Sequence, residues 1–446
     1  MSSCVETLKD YEDVPLRWIH LRVAVGASGG EFSDGFGLGI VGLCLLQAAK
    51  QLDIGPLWLG LLGGASLVGL FFGSLLSGPA ADRFGRRPIF AFNMLFLALF
   101  SLLQAWVASR AELLVLRLLV GFALGTDYSV NKPMLIEYTP RRARGRILGL
   151  LSIAWAAGYA CSYAVGFAML HFGNEAWRYM LMSSAVPCLL VLPLRLTTPE
   201  SPVWLINHGR REAALAIIKK QFGGGIAPPL GASAGGIQHQ RWRRLFLPAW
   251  RQRTLVGCAF FSCLVVPYFA VGTFVSQVMT AMNLNSADLG GLVYNVTLLG
   301  GGILGVVVVD MLSRRKFLIA SFAVAAITMS ILMSWSSIPA VVMVILFAIF
   351  AGILSAASVL VYVYLPELFP TDLRASGIGL ASAASRIGAA ISTFLLPLVV
   401  SAYGIRTALG ACAVVLALGA FICHRWAPET QDIRLGSLDE VGAGGA

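Results

Sequence analysis

The side chains in this sequence that could do chemistry are charges set inside apolar runs. RLLVGFALGTDYSVNKPMLIEY, residues 117 to 138, carries Arg117, Asp127, Lys132 and Glu137 among leucine, valine, glycine and alanine. GGEFSDGFGLGIVG places Glu31 and Asp34 three apart, hence on one helical face. ASAASRIGAAIST holds one charge, Arg386, among small residues. A carboxylate–guanidinium pair that breaks and re-forms can bind and release a proton. An unpaired guanidinium offers a planar fork suited to a carboxylate or phosphate. Enzyme chemistry has no such footing. The five histidines are scattered, no Ser/His/Asp or metal-spaced cluster occurs, and no phosphate-cradling loop ends in Lys-Ser/Thr. No metal or cofactor is expected.

Such charges need elements that keep them from lipid. The chain has 446 residues, 57% hydrophobic and 12% charged, with a mean hydropathy of +0.79. Soluble domains carry about a quarter charged residues. Apolar runs of about 20 residues, the length a helix needs to cross a bilayer core, recur from end to end. They lie near 20–45, 57–77, 88–108, 112–137, 147–170, 178–196, 254–280, 288–310, 316–335, 339–365, 376–400 and 404–425. The runs are too long and too little alternating for barrel strands. The sequence predicts an all-α polytopic membrane protein of twelve transmembrane helices. A six-helix bundle spans 1–196 and a linker, with a short helix at GRREAALAIIKK, spans 197–253; a second six-helix bundle spans 254–430 and a tail 431–446.

The net charge of +11 collects in alternate connections: at Arg83, Arg86 and Arg87, at Arg141 to Arg146, from Arg195 to Arg253, and at Arg314 to Lys316. The connections between, such as 283–290 and 334–340, carry almost none. That bias predicts a multi-pass protein of the cytoplasmic (inner) membrane with both termini in the cytoplasm. It leaves no single basic face for nucleic acid. The eight cysteines show neither metal spacing nor a disulfide framework, and most fall inside apolar runs. The polar start, MSSCVETLKDYEDVPLRWIH, does not read as a cleaved signal peptide.

The halves repeat. Glu137, Pro140, Arg144, Gly149 and Gly158 recur as Glu367, Pro370, Arg374, Gly379 and Gly388 at one offset, and DRFGRR at Asp82 to Arg87 returns as DMLSRR at Asp310 to Arg315. Repeated bundles suit a carrier that rocks one half against the other. GPAADRFGRRP resembles the G-x-x-x-D-x-x-G-R-R loop signature of the major facilitator superfamily, and RLLVGFALG its R-x-x-x-G-x-x-x-G fourth helix. PESPVWL and PET, at Pro428 to Thr430, resemble the motifs after helices six and twelve of the sugar-porter-like branch, with Val203 where that branch has arginine. Within it, FSDGFGLGIVG, GTDYSV and ELFPTDLRASG are most similar to metabolite, phosphate and aromatic-acid proton symporters.

On a helical wheel Arg117, Asp127, Tyr128, Asn131 and Lys132 fall on one side of the fourth span. Gly121 and Gly125 border them as close-packing positions. A mid-bilayer charge costs at least about 2.5–3.5 kcal/mol, so this stripe must face polar groups or a wet cavity. The resemblance implies that a first-span acid pairs with Arg117 in proton uptake. Asp34 matches the first acid of the common D-x-Y-D form, Gly37 stands at the second, and Glu31 lies one turn earlier, so either acid could titrate. The resemblance also carries Asp127 and Tyr128 over as cavity residues, with Asp127 a proton-coupling candidate beside Asp34, Glu31 and Arg117, and Arg386 as the basic residue of the eleventh span that meets substrate charge. Asn131, Trp155, Tyr159, Tyr268, Tyr294, Asn295 and Tyr362 are further lining candidates. Asp82, Arg86, Arg87, Glu137, Arg144, Glu200, Asp310, Arg314, Glu367, Arg374 and Glu429 are expected to latch the cytoplasmic side.

The expected function is proton-coupled symport of a small organic anion by alternating access, in a monomer. Sugar, polyol or phosphate symport and anion uniport are the alternatives within transport, and a non-transporting sensor is the alternative outside it. The fifth span lacks the Gly-Pro motif typical of drug–proton antiporters, which favours symport over export.

Overall fold

The computed structural model describes residues 9–223, 226–228, 244–284, 287–309, 311–335, 337–369 and 373–430. Among them are 12 helices long and apolar enough to cross a membrane: Trp18–Gln51, Pro56–Phe84, Arg86–Trp106, Arg110–Tyr138, Ile147–Phe172, Ala176–Leu196, Pro248–Thr273, Ala287–Val308, Arg314–Ser334, Ala340–Ser358, Ser376–Tyr403 and Ile405–Trp426. They are called spans 1 to 12. This is the all-α architecture that the hydropathy predicts. Their outer faces present Phe72, Phe92, Leu190, Val341 and Val414, side chains at home against acyl chains.

Between helices, association in lipid relies on backbone approach, and glycines provide it twice over. In the first half Gly121 and Gly125 of span 4 lie against the backbone of Ser66 and Leu70 in span 2, and Gly158 of span 5 lies against Phe32 of span 1. In the second half Gly301 and Gly305 of span 8 lie against Gly352 and Ala356 of span 10, and Gly388 of span 11 meets Val266 of span 7. The sequence repeat is thus also a packing repeat.

The connection between the halves begins with two helices, Pro202–Asn207 and Arg211–Phe222. The second covers the predicted GRREAALAIIKK helix. Strand Ile226–Ala227 pairs in parallel with Lys9–Asp10, and Tyr11 stacks edge-on against Phe222 at 5.4 Å. Most of the glycine-rich linker, the tail and the gating candidate Asp310 lie outside the described residues.

The cross-half contacts gather at the end remote from the arginine-rich loops. Gly42 abuts the Thr273 carbonyl, Gly60 the Phe394 carbonyl and Gly63 the Phe274 ring. There Tyr163 hydrogen-bonds Ser276 and donates to the Asp288 carbonyl at 3.3 Å. That end is sealed.

Candidate functional site: a central cavity and a buried acid layer

A cavity of about 560 Å³ lies between the halves. Spans 2, 4 and 5 line it from one side, and spans 7, 10 and 11, with the Leu360–Glu367 helix that follows span 10, line it from the other. It runs from Ile136, Leu148, Pro366 and Ile378, beside the loop motifs, inward to Trp155, Tyr268 and Phe269. The inner floor is aromatic. Trp155 stacks on Tyr159 at 5.3 Å and meets Tyr268 at 6.0 Å and Phe269 at 6.2 Å.

Two cations enter this space. Arg386 comes from span 11 and lies over the Tyr128 ring at 5.0 Å. Lys132, from span 4, lies over Tyr362 at 4.6 Å and Tyr128 at 5.2 Å. Of the predicted lining residues, Arg386, Tyr128, Trp155, Tyr268 and Tyr362 reach the cavity wall. Asp127, Asn131, Tyr294 and Asn295 do not. Tyr294 and Asn295 are buried, the latter donating to the Gly291 carbonyl at 2.8 Å. The polar stripe on span 4 splits because adjacent residues diverge by about 100°. Tyr128 and Lys132 face the cavity, while Asn131 turns to span 1, donating to the Ala27 carbonyl at 2.9 Å.

Behind this wall is a layer of buried charge. Asp127 forms a two-pronged ion pair with Arg195 of span 6, Nη2 to Oδ2 at 3.1 Å, both side chains fully buried. Arg195 also donates to the Gly26 carbonyl at 3.0 Å and the Phe90 carbonyl at 3.2 Å, and lies over the Phe90 ring at 4.0 Å. Gly30 makes room: a Cβ there would overlap the guanidinium. Asp34 sits against Asp127 with no amide or hydroxyl donor on either oxygen among the described residues. Glu31, likewise fully buried and without a hydrogen-bond partner among the described residues, is surrounded by Lys132, Asp127, Arg386 and Arg195.

The expected pairing of a first-span acid with Arg117 is not made. Arg117 is buried, its electrostatic neighbour is Cys44, and its Nε and Nη2 have no hydrogen-bond partner among the described residues. Ten positions separate Arg117 from Asp127, about 15 Å along a helix, and the acids of span 1 are level with Asp127. The guanidinium at that depth is Arg195, and its carboxylate partner is Asp127 of span 4, not an acid of span 1. Its position, closing an apolar run just before the basic linker, disguises it as a loop cation.

The loop motifs form two matching sets. Arg86 pairs with Glu137 and lies 3.8 Å from Asp82, while Glu200 accepts from the backbone amides of Arg86 and Arg87 at 3.2 and 3.1 Å. Ser201 donates to Glu137. In the second half Arg314 lies 3.9 Å from Glu367, Glu429 accepts from Ser313 and from the Arg315 amide at 3.4 Å, and Thr430 bonds Glu367. Arg144 donates to the Thr139 carbonyl at 3.3 Å, and Arg374 to that of Pro366 at 3.1 Å. Among the described residues, these contacts join groups of the same half.

A profile of the family described as "Sugar (and other) transporter" matches residues 43–441. The chain belongs to the sugar (and other) transporter family. Among its relatives, the inner membrane metabolite transport protein YgcS of Escherichia coli is 38% identical over 434 residues, covering 97% of this chain and 96% of that protein. The putative metabolite transport protein YaaU of the same organism is 33% identical, covering 97% of each. The inward-open structure of the xylose transporter XylE from E. coli superimposes with a TM-score of 0.80 at 20% identity, over 95% of this chain and 99% of that one. This transporter therefore has the major facilitator fold, and its family places it among carriers of small solutes, not enzymes.

Proposed function

We propose that this transporter is a proton symporter of the cytoplasmic membrane that imports a small organic anion by alternating access, acting as a monomer. One observation carries the reading: the described cavity lining holds two cations, Lys132 and Arg386, and no carboxylate. With Glu31 and Asp34 carrying protons, a neutral sugar would leave both cations without counter-charge, and charge left unmatched away from water is costly. The aromatic floor suits the apolar body of such a solute. The basic loops favour a cytoplasmic position for the motif end, and the name of the YgcS relative agrees with an inner-membrane location.

Glu31 and Asp34 are the proton carriers in this reading. Both carboxyls are buried behind the cavity wall, beside the Asp127–Arg195 pair, and Glu31 lies within the field of both cavity cations. Asp127 is held by Arg195 and serves as the fixed anion against which Asp34 loads. Arg117 takes no part. The two motif sets act as the cytoplasmic gate, each bracing its own half as the halves rock.

The test is uptake by purified protein in proteoliposomes, offered carboxylates, phosphates and sugars with and without an inward proton gradient. Organic-anion uptake that rises with the gradient and collapses in Arg386→Ala is expected. Uptake confined to neutral sugars would sink the anion reading.

A further inference from the structure

We infer that the solute is a dianion carried with two protons, one on Glu31 and one on Asp34, so that the transport cycle moves no net charge. This rests on the anion-symport reading and extends it to substrate class and stoichiometry. Lys132 and Arg386 come from opposite halves yet lie over the same ring, that of Tyr128, at 5.2 and 5.0 Å. They stand no farther apart than those two distances laid end to end, within the span of one short dicarboxylate. Neither joins an ion pair among the described residues. Each lies over aromatic faces, which supply only about 0.5–2 kcal/mol per cation, and Lys132 also hydrogen-bonds the Tyr362 hydroxyl. Two negative groups on one solute would satisfy both cations and draw the two halves together.

The charges facing the acids complete the argument. Asp127 and Arg195 cancel within their pair. Glu31 faces Lys132, Asp127, Arg386 and Arg195, and Asp34 faces Asp127, Glu31 and Arg195. With both acids ionised they balance Lys132 and Arg386, and the empty site is neutral. With a proton bound to each carboxyl the site is doubly positive, and a dianion restores neutrality. These are the two forms that must change sides, and uncompensated charge in a buried site costs several kcal/mol. A monoanion with one proton also balances, but it engages one cation and bridges nothing. Protons taken up at the far side leave Glu31 and Asp34 at the motif side, after the dianion departs and Lys132 and Arg386 are again matched by charge on the acids, Glu31 facing both cations directly.

The experiment is uptake of labelled succinate and phthalate, against butyrate and benzoate, in proteoliposomes where pH gradient and potential are set separately with valinomycin and potassium. A one-unit pH gradient coupled to two protons supports about 100-fold accumulation, against about tenfold for one. Dicarboxylate uptake should respond to the pH gradient and ignore potential of either sign. Glu31→Gln and Asp34→Asn, each left with one proton, should be retarded by an inside-negative potential. Exchange of labelled for unlabelled dicarboxylate at equal pH should persist in both variants, which shows that they fold. Potential-sensitive uptake by the unaltered protein overturns the inference, as does transport of monocarboxylates alone; the latter leaves anion symport standing. Transport of neutral sugars alone removes both readings.

Discussion

Arg195 spends its guanidinium on Asp127 and two backbone carbonyls, so neither partner can leave without stranding a buried charge. Removing one member of such a pair typically costs about 3–5 kcal/mol, whereas replacing both with apolar groups is often neutral or better. Asp127→Asn and Arg195→Leu are each expected to lower the thermal unfolding temperature in detergent sharply, and Asp127→Leu with Arg195→Leu to restore most of it. A double variant as unstable as the singles would mean that the pair is not what holds these helices. Gly30→Ala should behave like Arg195→Leu, because its Cβ would take the guanidinium's place. At this scale the sequence was half legible. It marks Glu31, Asp34 and Asp127 as buried charges, and Arg386 as a charge within a span, by their apolar surroundings. It does not mark Arg195, since position along the chain cannot separate the last turn of a span from the loop after it. The pairing expected of Arg117 is not made for a related reason: a helical wheel gives direction around the axis but ignores the depth at which span 1 carries its acids.

Helix ends are where the motifs act. Gly85 has φ +105°, a left-handed backbone that only glycine adopts freely, and it delivers the first amides of span 3 to the Glu200 carboxylate. An anion there satisfies otherwise orphaned amides and the helix dipole. Gly85→Ala adds strain of about 1–3 kcal/mol and a Cβ 2.6 Å from Glu200 Oε2. Hydrogen exchange should then quicken at residues 86–90 well before it does in span 12. Uniform loss of protection would point to global unfolding instead. The internal repeat made both motif sets legible, but not their closure. In this conformation Arg86 and Glu137 meet within one half, as do Arg314 and Glu367. The N-terminal segment was not legible at all. Tyr11 is buried near Glu137 and against Phe222, and that burial, with the carboxylate's charge, pushes its hydroxyl above the ordinary range. A polar segment before a first span gives no hint that its one aromatic residue docks.

Twelve spans were legible because length and hydropathy are local properties, while the cavity was not, because its depth depends on which neighbours approach. Glycine sets that approach at the sealed end. Gly42 touches the Thr273 carbonyl directly, with no room for a side chain. Valine there must push spans 1 and 7 apart, at a cost typical of overpacking, about 1–3 kcal/mol. The cost falls only on the conformer closed at this end, so Gly42→Val should favour the alternative, closed at the motif end. A cysteine at Ser382, on the cavity wall, reports the change. Its labelling by an impermeant maleimide from the motif side should slow about tenfold for each 1.4 kcal/mol of bias, while labelling from the other side rises. Equal labelling from the motif side in both backgrounds would show that the seal yields without moving the halves, and that access is governed elsewhere than at the glycine contacts between spans 1 and 7.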